Sequence, residues 1–468
     1  MRNTSSTLKK SAVFFFFDAL SFISAFLLAE NLSSYLDWYH YESGALLLNI
    51  VPMLLAMSIS HLAVGLHESK LRENARGVFR RCVLSMGMVF LSYQILVAVF
   101  NLHTHNITSV LAFIGASILQ AYWRHWAISR GHLYITRQKI LILGAGERAA
   151  FLPKRMRRDM DRKHLSIKGF LPVKNIDEHV KSDEHVILLN DGETIAQRLA
   201  FLDEKDALDV VVLALDKDEE LPVVALLDLK MHGIEIVEIE DFVEAELGQL
   251  AVEHMRPEWL LKSTGFNLNR VFFNKCNYVL NATLAFIMLL VLWPFMLAAI
   301  VAIYLDDGRR DKAGFLYRQV RIGKDNKPFE IIKFRSMGKD AEKNGAQWAV
   351  TNDTRVTRVG NILRKYRIDE LPQLFNVIRG DMYFVGPRPE RPQFVNELEK
   401  DIPFYTYRHC VKPGLTGWAQ INYPYGASDK DSLEKLKFDL YYIKHHSFLL
   451  DVYVLIRTVE IVLFGKGR

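Results

Sequence analysis

Apolar runs of bilayer length dominate the first 130 residues of this chain, and a run of about twenty apolar residues can cross a membrane as one helix. Four such runs stand at 12–29, 45–66, 82–102 and 107–128. Each predicts a spanning helix. Arg124 and His125 fall inside the fourth, near enough to one end to snorkel to the interface. The first run reads as a span and not as a cleaved leader, since no small-residue cleavage site follows it and three more spans do. Lys70, Arg72, Arg76, Arg80 and Arg81 join the second run to the third, whereas residues 30–44 and 103–106 hold no Lys or Arg. With Arg2, Lys9 and Lys10 before the bundle and Arg130, Arg137 and Lys139 after it, the positive-inside rule puts both of its ends in the cytoplasm.

A fifth run, 279–305, is interrupted by Trp293-Pro294. Arg270 and Lys275 precede it, and Arg309, Arg310 and Lys312 follow. Basic flanks on both sides and a helix-bending proline predict a re-entrant hairpin with both ends cytoplasmic, against the alternative of a kinked span. The chain has 468 residues, 50% hydrophobic and 24% charged, a composition that excludes disorder and calls for several domains. Cys82, Cys276 and Cys410 lie too far apart to suggest a disulfide framework or a zinc site. The net charge of +6 carries no nucleic-acid signature, but it suits a phosphate-bearing partner or an anionic membrane surface.

After the bundle, residues 139–143 read as a strand running into Gly144-Ala145-Gly146-Glu147-Arg148-Ala149, a turn of the type that lets phosphates approach a helix N-terminus. Further strands are expected at 167–173, 186–189, 210–215 and 234–239, with a helix near 222–232. The fold signal exceeds the cofactor signal. Leu171-Pro172-Val173 stands where a ribose-binding acid would be needed, so no cofactor-binding residue is assigned and the domain reads as structural or regulatory.

The chemistry-bearing residues begin at Gly314. They include Phe315-Leu316-Tyr317-Arg318-Gln319, Lys333-Phe334-Arg335-Ser336-Met337, Arg367-Ile368-Asp369-Glu370-Leu371-Pro372-Gln373, Gly380-Asp381-Met382, Gly386-Pro387-Arg388-Pro389 and Pro413-Gly414-Leu415-Thr416-Gly417-Trp418-Ala419-Gln420. Arg355, Arg358, Arg364, Lys365, Arg367, Arg379 and Arg388 surround one acidic pair in the sequence, a density suited to clamping diphosphate oxygens. Pro372 puts Asp369 and Glu370 at a helix break or start. Such a pair can supply an oxygen nucleophile and a ligand for a divalent ion. The neighbouring arginines are expected to keep Asp369 ionised. The competing reading is a structural pair salt-bridged to Arg364 and Arg367.

From about Pro257 onward these motifs resemble the catalytic domain of the bacterial polyprenyl-phosphate sugar-1-phosphate transferases, the monotopic phosphoglycosyl transferases that start exopolysaccharide and O-antigen synthesis. The preceding bundle and α/β segment match the long form of that family. Arg256-Pro257-Glu258-Trp259-Leu260-Leu261 and Arg367-Ile368 look most like its exosortase-associated exopolysaccharide branch. The resemblance implies a covalent phosphosugar on Asp369, formed from a UDP-sugar with release of UMP and passed to polyprenyl (undecaprenyl) phosphate. It also implies Glu370 as catalytic partner, both carboxylates as neighbours of Mg²⁺ or Mn²⁺, and Arg364 and Arg388 as phosphate-binding residues. Lys333 and Arg335 fall in the family's basic strand motif, with substrate contact and strand-edge solubility both open, and Pro294 matches its re-entrant breakpoint. One departure is local: Asn277-Tyr278-Val279-Leu280-Asn281 stands where the family enters that helix through a Lys-Arg pair and an Asp.

The expected fold is thus a membrane protein with a four-helix transmembrane bundle (1–135), a Rossmann-like α/β middle domain (136–250) and a mostly α, membrane-associated catalytic domain (251–468) whose re-entrant helix covers 277–305. Its expected location is the bacterial inner membrane, with the catalytic domain on the cytoplasmic face. Its expected partners are UDP-sugar, polyprenyl phosphate and membrane lipids, without nucleic acid, and the sequence leaves open whether it forms a homodimer. Every residue assigned to chemistry follows Pro257, so a chain starting there is expected to keep activity. His445-His446 and a C-terminal helix over 449–464 read as interfacial, and Asp439 and Tyr441 as orienting that helix, with substrate contact as the alternative. Two other functions compete, an NAD-dependent nucleotide-sugar dehydratase or epimerase and a nonenzymatic assembly scaffold. Residues 139–256 contain no Tyr, so the dehydratase would lack a Tyr base there, and the scaffold leaves the acidic pair unexplained.

Overall fold

The computed structural model describes residues 2–36, 45–64, 66, 75–100, 106–129, 138–156, 165–176, 180, 186–206, 208–253, 255, 257–266, 271–308, 313–341, 353–423, 426 and 428–463. The chain divides into two compact units, Met1–Leu247 and Gly248–Arg468. Residues 37–44, 67–74 and 103–105, with Lys70 and Arg72 among them, lie outside the described residues, as do Arg130, Arg137, Arg256, Arg270, Arg309, Arg310 and Lys312.

In the first unit the four apolar runs are helices: α1 (Arg2–Tyr35), α2 (Ala45–Ala63), α3 (Ala75–Phe100) and α4 (Asn106–Ser129). α1 packs along α4, α4 against α3, and α3 against α2. Phe22, Phe26, Met53, Met57, Tyr93 and Phe113 fill the space between them. Phe16, Leu28, Leu55, Ile59, Leu91 and Ile95 stay exposed on the outside. Helices apolar both inside and outside fit a lipid surround better than water. Among the described residues, Val13–Tyr35 and Val271–Asp306 are long and apolar enough to cross a membrane.

Arg124 departs from expectation. It does not snorkel but is fully buried, ion-paired to Asp18 of α1 and donating from Nη1 to the Leu66 carbonyl at 3.0 Å. His61 Nδ1 lies 3.1 Å from the same carboxylate. Removing one partner of such a buried pair typically costs about 3–5 kcal/mol, because the other charge is left without compensation. Asp18, 106 residues away in the chain, thus turns an end-of-helix arginine into an internal tie between α1 and α4.

The rest of this unit is an α/β layer. β1 (Gln138–Ala145) pairs in parallel with β2 (Leu165–Ile176) and β3 (Val210–Leu213), and β3 with β4 (Glu235–Glu238), giving the order β2-β1-β3-β4. Six consecutive buried residues in β1 fit a central strand covered on both faces. The helices are α5 (Glu147–Arg155), α6 (Ile195–Asp206), α7 (Val223–Met231) and α8 (Ile239–Leu247). The strand expected at 186–189 reduces to a single bridge, Val186 to Phe170, because Leu188 and Leu189 are exposed and the chain turns at Asp191-Gly192.

The second unit begins with α9 (Pro257–Lys262) and the 33-residue α10 (Val271–Ile303), which contains Pro294. An antiparallel hairpin of β5 (Leu316–Ile322) and β6 (Pro328–Phe334) sets Tyr317 opposite Lys333. Then come α11 (Arg358–Lys365), a 3₁₀ turn at Ile368–Gln373, α12 (Leu374–Arg379) and β7 (Tyr383–Val385). α13 (Pro392–Asp401) and a 3₁₀ turn at Tyr405–Cys410 lead to β8 (Gly414–Thr416), which pairs in parallel with β7. α14 (Trp418–Asn422), α15 (Asp429–Lys444) and α16 (Phe448–Leu463) complete the unit. Thr357 caps α11 by accepting from the Gly360 amide, and Ser428 and Asp431 form a capping box on α15. The core joins Leu374, Val377, Phe384, Leu436 and Tyr442 to Leu250 and Val252.

Both arms of α10 pack within this unit. On the entry arm, Tyr278 Oη donates to the Ile378 carbonyl at 3.0 Å, and Asn281 Oδ1 accepts from the Phe384 amide at 2.9 Å. On the exit arm, Ala299 and Ile303 bury against Phe334 and Leu363, and Asp306 accepts from the Val359 amide at 3.1 Å. Between them Leu290, Val291, Trp293, Phe295 and Leu297 are exposed.

Candidate active site

Asp369 and Glu370 sit on the 3₁₀ turn between α11 and α12, at the break that Pro372 suggested. Arg367 opens this turn in the left-handed region at φ 57°, which directs the chain sharply out of α11. β6 lies beside the turn. Its Ile332 and Phe334 are buried on one face, and Lys333 alternates with them to reach the acidic pair from the other. Asn376 ties the two elements, its Oδ1 accepting from the Ile332 amide at 3.1 Å and its Nδ2 donating to the Glu330 carbonyl at 2.7 Å.

Glu370 Oε1 is the centre of a cationic cluster, with Arg388 Nη2 at 3.2 Å, Lys333 Nζ at 3.4 Å and Arg367 Nη1 at 3.7 Å. These cations hold the Glu370 carboxyl far below the usual range despite its burial. Asp369 behaves oppositely. Burial first, and the Glu370 charge second, push its carboxyl above the ordinary 3.8, against the pull of Lys333, Arg364 and Arg367. Desolvation and a like charge thus outweigh the nearby cations in setting the direction of the Asp369 shift. Asp369 Oδ1 is buried and has no hydrogen-bond partner among the described residues.

The arginine-rich stretch separates into different tasks. Arg364 donates from Nε to Ser336 Oγ at 2.9 Å and lies within electrostatic reach of Asp369. Arg355 pairs with Asp353 at 2.5 Å, and Arg379 lies 3.7 Å from Asp381. Arg335 donates to the carbonyls of Gly314 at 2.7 Å and Met337 at 3.3 Å, fastening the base of the β5–β6 hairpin. Lys333, Arg364, Arg367 and Arg388 thus converge on the carboxylates, while these bonds direct Arg335 to the chain on either side of it. Sequence spacing alone does not separate a cation aimed at the pair from one spent on its own loop.

No group of three metal-ligating side chains occurs among the described residues. Mg²⁺ commonly binds through one or two carboxylates plus substrate phosphates, so this donor set, with its open Asp369 oxygen, fits a divalent ion that arrives with the substrate.

Other residues singled out earlier have local duties. Asn281 bonds back to Asn277 and forward to Phe384, so the atypical entry to α10 docks into the core. His446 lies 3.4 Å from Asp451, and His445 packs against the Tyr441 ring. Asp439 is buried in an ion pair with Arg408, and Tyr441 stacks on Trp418. In the first unit the glycine-rich turn closes on its own chain. Asp216 accepts from the amides of Glu147 and Arg148 at 3.2 Å each, and a Cβ on Gly146 would lie 1.8 Å from its Oδ2. A carboxylate of the protein stands on these helix amides, where a phosphate was considered.

Residues 273–465 match the family described as bacterial sugar transferase. The UDP-N-acetylgalactosamine-undecaprenyl-phosphate N-acetylgalactosaminephosphotransferase of Aeromonas hydrophila is 48% identical over 174 residues, 37% of this chain and 40% of that protein. The UDP-glucose:undecaprenyl-phosphate glucose-1-phosphate transferase of Xanthomonas campestris pv. campestris is 42% identical over 186 residues, 39% of this chain and 38% of that protein. The chain therefore spans about two fifths of the length of these two relatives. The exopolysaccharide production protein PSS of Rhizobium leguminosarum bv. phaseoli is 39% identical over 189 residues, which are 38% of this chain and 91% of that relative.

Proposed function

Since this chain belongs to the bacterial sugar transferase family, we propose that it transfers a sugar 1-phosphate from a UDP-sugar to undecaprenyl phosphate and so starts exopolysaccharide or O-antigen synthesis. The observation that carries this reading is the buried pair Asp369–Glu370, with one carboxylate oxygen unpartnered and four cations around it. An Asp369 oxygen attacks the β-phosphorus, the bond from that phosphorus to the α–β bridging oxygen breaks, and UMP leaves with the bridging oxygen. A phosphate oxygen of undecaprenyl phosphate then attacks the phosphosugar and frees the Asp369 carboxylate. Lys333, Arg364, Arg367 and Arg388 surround the diphosphate and offset its charge, with Arg364 and Arg388 as its main phosphate contacts. Arg335 supports the same site by holding the hairpin that carries Lys333. Asp369 and Glu370 would hold Mg²⁺ or Mn²⁺, which supplies further charge neutralisation on the diphosphate. The relatives named above carry different sugars in their names, so the likeness supports the reaction class and leaves the sugar to measurement.

The test is UMP release from a panel of UDP-sugars in the presence of Mg²⁺ and undecaprenyl phosphate. Release with at least one sugar supports transfer, and none with any of them sinks the proposal. The pH dependence adds a signature. The nucleophile must be ionised, so kcat/KM should fall as pH drops through the Asp369 pKa, with the acid limb above 3.8. Lys333 lowers that pKa, so Lys333→Met should move the limb to higher pH. A limb at or below 3.8 would contradict the assignment.

We further propose that α1–α4 form a four-span bundle in the bacterial inner membrane, that the α/β layer is Rossmann-like, and that α10 is re-entrant, with the catalytic unit on the cytoplasmic face. A straight helix from Tyr278 to Asp306 would separate its ends by about 40 Å. Contacts of both arms within one compact unit, and the exposed apolar stretch between them, support a return near Pro294. The expected result is cytoplasmic labelling at both Lys275→Cys and Lys312→Cys in a chain whose own three cysteines are replaced. External labelling at Lys312→Cys would exclude the hairpin.

A further inference from the structure

We infer that Arg408 is a positioning residue that sets the Arg388 side chain on the acidic pair by gripping the Arg388 carbonyl. The inference rests on the transferase reading of the site. Arg408 Nη2 donates to that carbonyl at 2.9 Å, and Arg388 Nη2 in turn reaches Glu370 Oε1 at 3.2 Å. Arg388 lies in Gly386-Pro387-Arg388-Pro389, where the two prolines bring no amide donors of their own. The loop is therefore held from outside. Arg408 holds it at residue 388, and Arg321 Nη1 holds the next carbonyl, that of Pro389, at 3.1 Å.

Arg408 is built for this duty and not for substrate contact. Its side chain is 5% exposed. Nε and Nη2 lie 3.2 and 2.8 Å from Asp439 Oδ2, and Nη1 donates to Tyr405 Oη at 2.7 Å. Asp439 is itself buried on α15, so the pair anchors the Arg388 loop to the core helix. A planar guanidinium can serve Asp439, Tyr405 and the Arg388 carbonyl together. A lysine ammonium in the same space keeps the charge but cannot span these acceptors.

The experiment is a double-mutant cycle in the full-length protein, with Arg408→Lys, Arg388→Ala and both together, read by UMP release and by amide exchange. Arg408→Lys should cut kcat/KM by about 10- to 100-fold, the scale of a roughly 1 Å misplacement, and should raise KM for the UDP-sugar. If Arg408 acts through Arg388, the double variant should match Arg388→Ala alone within about twofold. Losses that multiply in the double variant, with KM unchanged, mean general stability and overturn the assignment. Amide exchange at Gly414 and Ile322, whose amides donate to the Pro387 and Glu390 carbonyls of this loop at 3.0 and 2.9 Å, should speed up in Arg408→Lys, and unchanged exchange there also overturns it. Should Arg408→Lys fail to fold, Asp439→Asn loosens the same grip and enters the same cycle. If the wild-type protein releases no UMP from any UDP-sugar, the transferase reading falls, while the exchange measurement still decides whether Arg408 orders the loop.

Discussion

Asp369→Asn is expected to abolish UMP release, with a loss of about 10⁴-fold or more, the scale seen when a covalent nucleophile is removed. The amide has the carboxylate's shape but cannot form an acyl phosphate. The protein should nevertheless stay folded. Burial and Glu370 raise the Asp369 pKa in the folded chain, so at neutral pH its ionised form opposes folding instead of supporting it. A neutral isostere removes that opposition, and the melting temperature of Asp369→Asn should equal or exceed that of the wild type. Mass spectrometry after mixing with a UDP-sugar should find a phosphosugar adduct on the wild type and none on the variant. Wild-type rates from Asp369→Asn would refute the covalent route, whereas a lowered melting temperature would refute the electrostatic account. Glu370→Gln should also disable turnover, but by a different path: Lys333, Arg367 and Arg388 would lose the charge they converge on.

The acidic pair was legible because local chemistry marks it: a proline three residues after Asp369 breaks the helix, and the basic residues are dense around it. The helical runs were legible for a similar reason, since an uninterrupted apolar stretch carries its own length criterion. Pairings across long sequence separations were not. Nothing near Arg124 announces Asp18, nothing near Gly146 announces Asp216, and nothing near Arg408 announces Asp439. Each partner follows from how two elements cross, and crossing geometry is set by packing more than by local composition. Arginine density likewise gave the charge of the region but not its aim, because Arg355 and Arg379 lie against nearby acids while Arg364, Arg367 and Arg388 lie at the site. The direction of the Asp369 shift was hidden for a related reason. Neighbouring cations can be counted from the sequence, but burial cannot.

Burial also decides where an independently folding catalytic chain must begin. Motifs point to Pro257, yet Leu250 and Val252 are buried in the core of the second unit, and the Leu250 amide donates to the Lys437 carbonyl at 3.1 Å. Glu253 lies 2.5 Å from Lys437 Nζ, a fully buried ammonium that would keep Glu434 at 2.9 Å as its remaining carboxylate. Trp418 Nε1 donates to the Gly248 carbonyl at 2.7 Å. Gly248 takes φ +61°, and a Cβ there would lie 3.1 Å from the Trp418 ring. Two buried aliphatic side chains contribute about 1.5–3 kcal/mol each, and each hydrogen bond adds about 0.5–1.5 kcal/mol. Together these terms approach the whole stability of a typical domain, about 5–15 kcal/mol. A chain beginning at Gly248 should therefore fold in nanodiscs and release UMP, while one beginning at Pro257 should aggregate or lose most of its activity. Equal melting temperatures for the two would remove residues 248–256 from the catalytic core. A Gly248 chain that is folded but inactive would instead assign part of the chemistry to the first unit.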